Sequence, residues 1–297
     1  SEALNDHIND LKHNADYKFY TDGMVVESAK GVVFKSNFKL HDEGIKTHSF
    51  IDDVPPRPGG DMHGCVRIFH FPFKDPKTGI IPPIYHMSYD PVGSNKDDPT
   101  SKDSYNSISV WMNPNNYIPN VRKLKVATFF GRPSTMEAAD NIALLLALFY
   151  GGANGMLLAE LNRGETKSNF RKQGYTRLLD KEPTIVWDTK IKTNNPANYG
   201  IIIGNDIRKL QGLRLLKDML YEEVGIDDNG NTRYLFHSIT DLPFLLEVQK
   251  WHNEGNFDRV SEAIVEAFAH KKLHIMAKIK LKTRKTVKES IMTRAWF

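Results

Sequence analysis

Cysteine is almost missing from this chain: Cys65 is the only one in 297 residues. That excludes a disulfide framework and a cysteine-based zinc site, and it favours an intracellular compartment. Long apolar runs are missing as well. The longest, Ile142 to Tyr150, suits a core helix and is too short to cross a bilayer, so no membrane partner is expected. The opening residues, Ser1 to Asp6, lack the basic-then-apolar pattern of a signal peptide. They also lack an initiator Met, and the expectation is a piece of a longer chain. No Gly-x-x-x-x-Gly-Lys-Ser/Thr loop occurs, so ATP hydrolysis is not expected. Neither sign of charge dominates. The net +4 is the small surplus of 40 Lys and Arg over 36 Asp and Glu, which by itself does not argue for nucleic acid.

What is present fits a soluble globular protein of one large domain or two. Apolar residues make up 40% of the chain and charged residues 26%, enough for a core and an ordinary surface. Asn5 to Lys12 reads as a short helix, and Gly23 to Phe38 alternates weakly around Gly31, as a hairpin does. Asp52 to Gly60 is a Pro- and Gly-rich loop. Cys65 to Phe71 alternates again.

From Ile84 the pattern sharpens. Ile84 to Asp90 reads as a strand with His86, Ser88 and Asp90 on one face. Tyr105 to Trp111 and Leu124 to Phe130 follow as strands, and the short loops predict a three-stranded antiparallel meander. Ser134-Thr135-Met136-Glu137 is a capping box opening a helix with apolar residues at Met136, Ala139, Ile142, Ala143 and Leu146. Gly151, Gly152 and Gly155 then precede an apolar run, Met156 to Ala159, that ends on Glu160. Such a run reads as a strand buried on both faces. The crossover predicts that it lies parallel to a neighbour, most simply the strand ending at Asp90.

Beyond Glu160 a short helix is predicted over Gly164 to Gly174. Arg177 to Trp187 is taken as extended. A helix capped by Asn205 or Asp206 runs to Val224, Tyr234 to Phe236 is a short strand, Thr240 caps a helix to Trp251, and a last helix starts near Asn256. The run from Lys271 to Lys288 is dense in Lys and Arg, as in a solvated tail or a segment that binds an acidic partner.

A buried carboxylate needs a positive partner. At Glu160 that partner is either an arginine such as Arg163 or a metal ion. If the strands ending at Asp90 and Glu160 are parallel neighbours, both acids emerge at one sheet edge. A third acid on a late helix closes the set; Asp258 is the candidate, with Asp241 and Glu262 as rivals. Oxygen-only ligands suit Mg²⁺ or Mn²⁺, and two such ions hydrolyse phosphodiesters. Asp103, Asp97 and Asp98 read as loop acids, and His86 as a satisfied core histidine. Lys167, Arg171 and Lys172, and also Lys209, are either DNA-phosphate contacts or solvated helix faces.

Tyr89-Asp90-Pro91-Val92-Gly93, with Asp103-Ser104 leading into Ile108-Ser109-Val110, resembles the first catalytic strand and hairpin of the nuclease domain of viral terminase large subunits. Leu158-Ala159-Glu160-Leu161-Asn162-Arg163-Gly164 resembles the second acidic motif of that family. Tyr199-Gly200 through Asn205 to Lys209 is similar to the segment before its next helix, and Asn256-Phe257-Asp258-Arg259-Val260 to its third acidic motif. Phe257 stands where the family often has a second acid. The likeness spans roughly Cys65 to His270.

This resemblance implies an α/β, RNase H-like fold: a mixed central sheet of three antiparallel strands plus parallel strands, flanked by helices. The implied division is a lead-in over 1–75, a nuclease domain over 76–270 and a basic C-terminal tail over 271–297. The implied activity is a two-metal endonuclease using Mg²⁺ or Mn²⁺ that cuts double-stranded viral DNA concatemers during packaging. Asp90, Glu160 and Asp258 would be both catalytic residues and metal ligands. Portal and small terminase subunit are the implied partners, in the host cytoplasm, with the ATPase motor outside this chain. The alternatives are a Holliday-junction resolvase of RNase H-like fold and a non-catalytic DNA- or portal-binding module.

Overall fold

The computed structural model describes residues 2–13, 17–19, 25–28, 31–34, 65–92, 104–133, 135–161, 165–186, 199–204, 206–227, 229–252 and 255–294. Their backbone forms an eight-stranded mixed sheet with helices on both faces. Gly93, Asp97, Asp98, Asp103, the loop over 52–60, Asn162, Arg163, Gly164 and Asn205 lie outside these residues.

The meander is present. Strands β5 (Tyr85–Asp90), β6 (Asn106–Met112) and β7 (Leu124–Gly131) pair antiparallel in sequence order. Strand β8 (Leu157–Ala159) lies parallel to β5, with Tyr89 opposite Ala159. The Glu160 N–H donates to the Tyr89 carbonyl at 2.8 Å. The connection from β7 to β8 is helix α2 (Met136–Phe149). Its N-cap is Thr135, whose hydroxyl accepts from the Ala138 N–H. The expected box is therefore displaced by one residue, with Ala138 where a Glu would return the bond.

The hairpin β2 (Val25–Ser28) and β3 (Gly31–Phe34), with β1 (Tyr17–Phe19) outside it, is joined to β7 through β4 (Cys65–Ile68). The sheet is thus continuous across residue 75. Outside β8, single parallel bridges tie Leu157 to Leu179 and Glu160 to Ile201.

Alternation sorts the strand residues onto two cores. Tyr85, Met87 and Tyr89 face the layer of α2, packing with Ile142, Leu145 and Leu146. Trp111 and Leu158 face the other layer, made by α4 (Asp206–Leu220), α5 (Leu242–Lys250) and α6 (Asp258–Arg294). Helix α1 (Glu2–His13) packs there through Leu4 and Ile8. Helix α6 crosses β5, β6 and β8, so every fourth residue of its buried face meets the polar side of β5.

Four expectations need correction. Residues 177–186 are extended only in part: Leu179 and Lys181 make isolated bridges, while Thr176–Leu178 and Thr184–Val186 form single 3-10 turns. The helix near 207 stops at Leu220. Strand β9 (Glu223–Ile226) follows and pairs with β10 (Thr232–Tyr234), while Leu235–Ser238 turns as 3-10 helix. The residue at the α5 N-cap is Asp241 rather than Thr240, and its side chain makes no cap bond. The basic segment after Lys271 continues α6 to Arg294.

Candidate active site

The parallel register of β5 and β8 places Asp90 and Glu160 side by side where both strands end. Both belong to the face that α6 covers, since Ser88 and Leu158, two residues earlier, touch that layer. Their carboxyls share a hydrogen bond, and such a bond requires a proton on one of the two. Burial, then the charges of Glu160, Asp258 and Glu262, push the Asp90 pKa well above the usual carboxylate range.

Helix α6 supplies the other two acids, one turn apart. Asp258 opens the helix, and its Oδ2 accepts from the Tyr105 N–H at 2.7 Å, just before β6 begins. Burial, opposed by that bond, raises its pKa to about 7, with Glu247 adding and Arg259 and Arg132 subtracting. Glu262 is fully buried. Its Oε1 accepts from the hydroxyls of Ser88 and Ser109, and Trp111 fixes Ser109 through an indole N–H bond of 2.8 Å. Its Oε2 has no hydrogen-bond partner. Burial again dominates, lifting the Glu262 pKa to about 7.

Buried carboxylates elsewhere in the protein are held differently. Asp241 lies 2.8 Å from the Lys125 ammonium and 3.3 Å from Arg67, and its pKa falls to about 2 despite burial. That removes it as a third ligand, because its charge is already balanced. Glu266, one turn beyond Glu262, is paired with Lys123 at 2.5 Å and His86 at 2.9 Å and also falls to about 2. Among the described residues, the leading influences on Asp90 at the sheet rim all raise its pKa.

His86 is a buried ion-pair member rather than a neutral core histidine. Burial disfavours its charge, but Glu266 and Asp180, the latter 3.9 Å away, raise its pKa to about 9. Sequence spacing alone does not reveal this, because Glu266 lies 180 residues away. The signal that was available is the fourfold spacing of Asp258, Glu262 and Glu266, which puts all three on one helical stripe.

The predicted DNA contacts occupy helix surfaces. Lys167 is half-buried on α3 (Glu165–Lys172), with its ammonium 5.4 Å from the Tyr199 ring centre. Arg171 and Lys172 are exposed in the last turn of α3, and Lys209 is exposed on α4.

Among the described residues, the trio of metal-ligating atoms all within 4.8 Å of one another lies at Glu222, His270 and His274. No protein-family model and no curated protein matches the chain.

Proposed function

We propose that this chain is a divalent-metal-dependent endonuclease acting on double-stranded DNA, with an RNase H-like sheet as scaffold. One observation carries the reading: Asp90, Glu160, Asp258 and Glu262 converge at one rim, with raised carboxyl pKa values at Asp90, Asp258 and Glu262 and an unpartnered buried oxygen on Glu262. Like charges held together in this way call for a cation. The donors are all oxygens, which fits Mg²⁺ or Mn²⁺. Four such acids could hold a pair of ions about 3.5–4 Å apart. The sheet order β7, β6, β5, β8, with Ile201 bridged beyond Glu160, supports the RNase H-like reading.

When bound, the ions would activate a water and stabilise the leaving oxygen of a phosphodiester. The protein's own share is positioning. Asp90 and Glu160 are fixed by the ends of two paired strands. Ser88 and Ser109 hold one oxygen of Glu262 and leave the other without a hydrogen-bond partner. The Tyr105 N–H orients Asp258. Outer-shell partners of this kind set ligand direction and are worth about 10–100-fold in activity or affinity.

The terminase-like motifs around Asp90, Glu160 and Asp258 favour a role in viral DNA packaging. The chain would cut concatemers at the portal, with small subunit and ATPase motor supplied by other polypeptides or segments. Among the described residues no element is built to read base edges, so cut-site choice would come from those partners.

Nicking of a supercoiled plasmid tests the reading. Wild-type protein should nick with Mn²⁺ and not with EDTA, and Glu160→Ala should lose at least about 100-fold. Equal nicking by both proteins, or none by wild type, overturns the nuclease reading and favours a binding module. Preference for a four-way junction over linear duplex redirects it to a resolvase.

A further inference from the structure

Helix α6 carries a titratable residue at every fourth position from Asp258: Glu262, Glu266, His270 and His274 follow. The last two lie about 18 Å or more along the helix from Asp258, at 1.5 Å per residue. They are too far to share an ion with the rim, and nothing in the endonuclease reading uses them. Both imidazoles turn their Nε2 atoms to the same carboxylate. His270 Nε2 is 2.8 Å from Glu222 Oε2, and His274 Nε2 is 3.7 Å from Glu222 Oε1. The two rings are 4.3 Å apart, centre to centre.

We propose that Glu222, His270 and His274 form a second metal site, selective for Zn²⁺ or a similar borderline cation, that clips α6 to the end of α4. Ligands about 2.1 Å from a tetrahedral ion lie about 3.4 Å apart, and the two measured separations fall on either side of that value. All three ligand atoms lie within 4.8 Å of one another. Two imidazoles and a carboxylate favour Zn²⁺ over Mg²⁺, which selects oxygen-only sites.

The site is also braced. The Glu222 N–H donates to Met219 and its carbonyl accepts from Leu235, fixing it between α4 and β9. His270 is buried, whereas His274 is largely exposed, so the fourth position opens to solvent. In the metal-free state the carboxylate hydrogen-bonds His270 and lies within ion-pair distance of His274. Lys123 and Lys271 are the nearby cations, and Lys123 is neutralised by Glu266.

The test is calorimetric titration of Zn²⁺ into chelator-stripped full chain, with a thermal melt alongside. Wild type should bind one Zn²⁺ per chain at this site and gain about 5 °C in Tm at a hundredfold excess over Kd. His274→Gln, an exposed change, should weaken binding at least tenfold while melting like wild type in EDTA. His270→Gln should do the same. Glu160→Ala, which disables the rim as a competing metal site, should keep the one Zn²⁺ that is lost in the histidine variants. Absence of Zn²⁺ binding by wild type, or binding as tight as wild type's in both histidine variants, overturns the site.

Discussion

At the scale of single residues, the protein treats its buried acids in two ways. Asp241, Glu266 and Asp180 have cations in contact and pKa values below the ordinary range. Asp90, Asp258 and Glu262 have raised ones. His86 belongs to the first group, as the cation between Glu266 and Asp180. Its folded pKa of about 9 exceeds the 6.5 of a free imidazole. A raised pKa in a cation means stability fully present below about pH 6.5 and lost as pH rises through about 9. The gap corresponds to roughly 3 kcal/mol. We expect wild type to lose Tm steadily between pH 7 and 9.5, and His86→Gln to start lower and show a flatter profile over that window. Parallel profiles for the two proteins would mean that His86 is not charged in the fold.

At the scale of elements, α6 is the part on which both sites depend, and its seat is tight. At Gly212 of α4 an added Cβ would lie 2.3 Å from Cγ2 of Ile264 and 3.1 Å from the Phe268 ring. Ile264 is β-branched and buried on α6, so it has little rotamer freedom with which to yield. Gly212→Ala would gain about 1 kcal/mol in helix propensity, against overpacking of about 1–3 kcal/mol. We expect a net loss of about 1 kcal/mol in urea unfolding. A more stable variant would show that α4 and α6 can move apart. The meander, α2 and the parallel β8 were legible because alternation and helical spacing are local, and the crossover then fixes the neighbour. Placing Asp90 beside Glu160 followed from that alone. The choice among Asp241, Glu262 and Asp258 did not, because it depends on which cation reaches each carboxylate. Lys125 meets Asp241 across 116 residues of chain, counting from 125 to 241, and no spacing rule encodes that. Strands β9 and β10 escaped for another reason. Gly225 has φ +141 in the middle of β9, so the segment lacks the apolar alternation of a strand and Val224 reads as the end of a helix.

For the whole molecule, the two treatments of buried acids combine into one pH profile. Asp241 and Glu266, with pKa values of about 2, contribute stability that is present above pH 4 and lost as pH falls through 2. The rim works in the opposite direction. Asp258 and Glu262 titrate at about 7 in the fold, against 3.8 and 4.5 when free. Between those values the folded state holds protons that the unfolded state releases, so stability falls as pH rises from about 4 to 7. The cost at pH 8 is on the order of 3–4 kcal/mol per acid. The proposed divalent cation would bind the deprotonated rim and offset that cost, and would gain little at pH 5, where protons compete for the same oxygens. Metal-free protein should therefore melt at lower temperature at pH 8 than at pH 5, and saturating Mn²⁺ should raise Tm several degrees more at pH 8. Glu262→Gln should flatten the metal-free slope, because the amide has no proton to lose. An equal Mn²⁺ effect at both pH values would mean that the ions bind away from the rim and that its acids are balanced by other means.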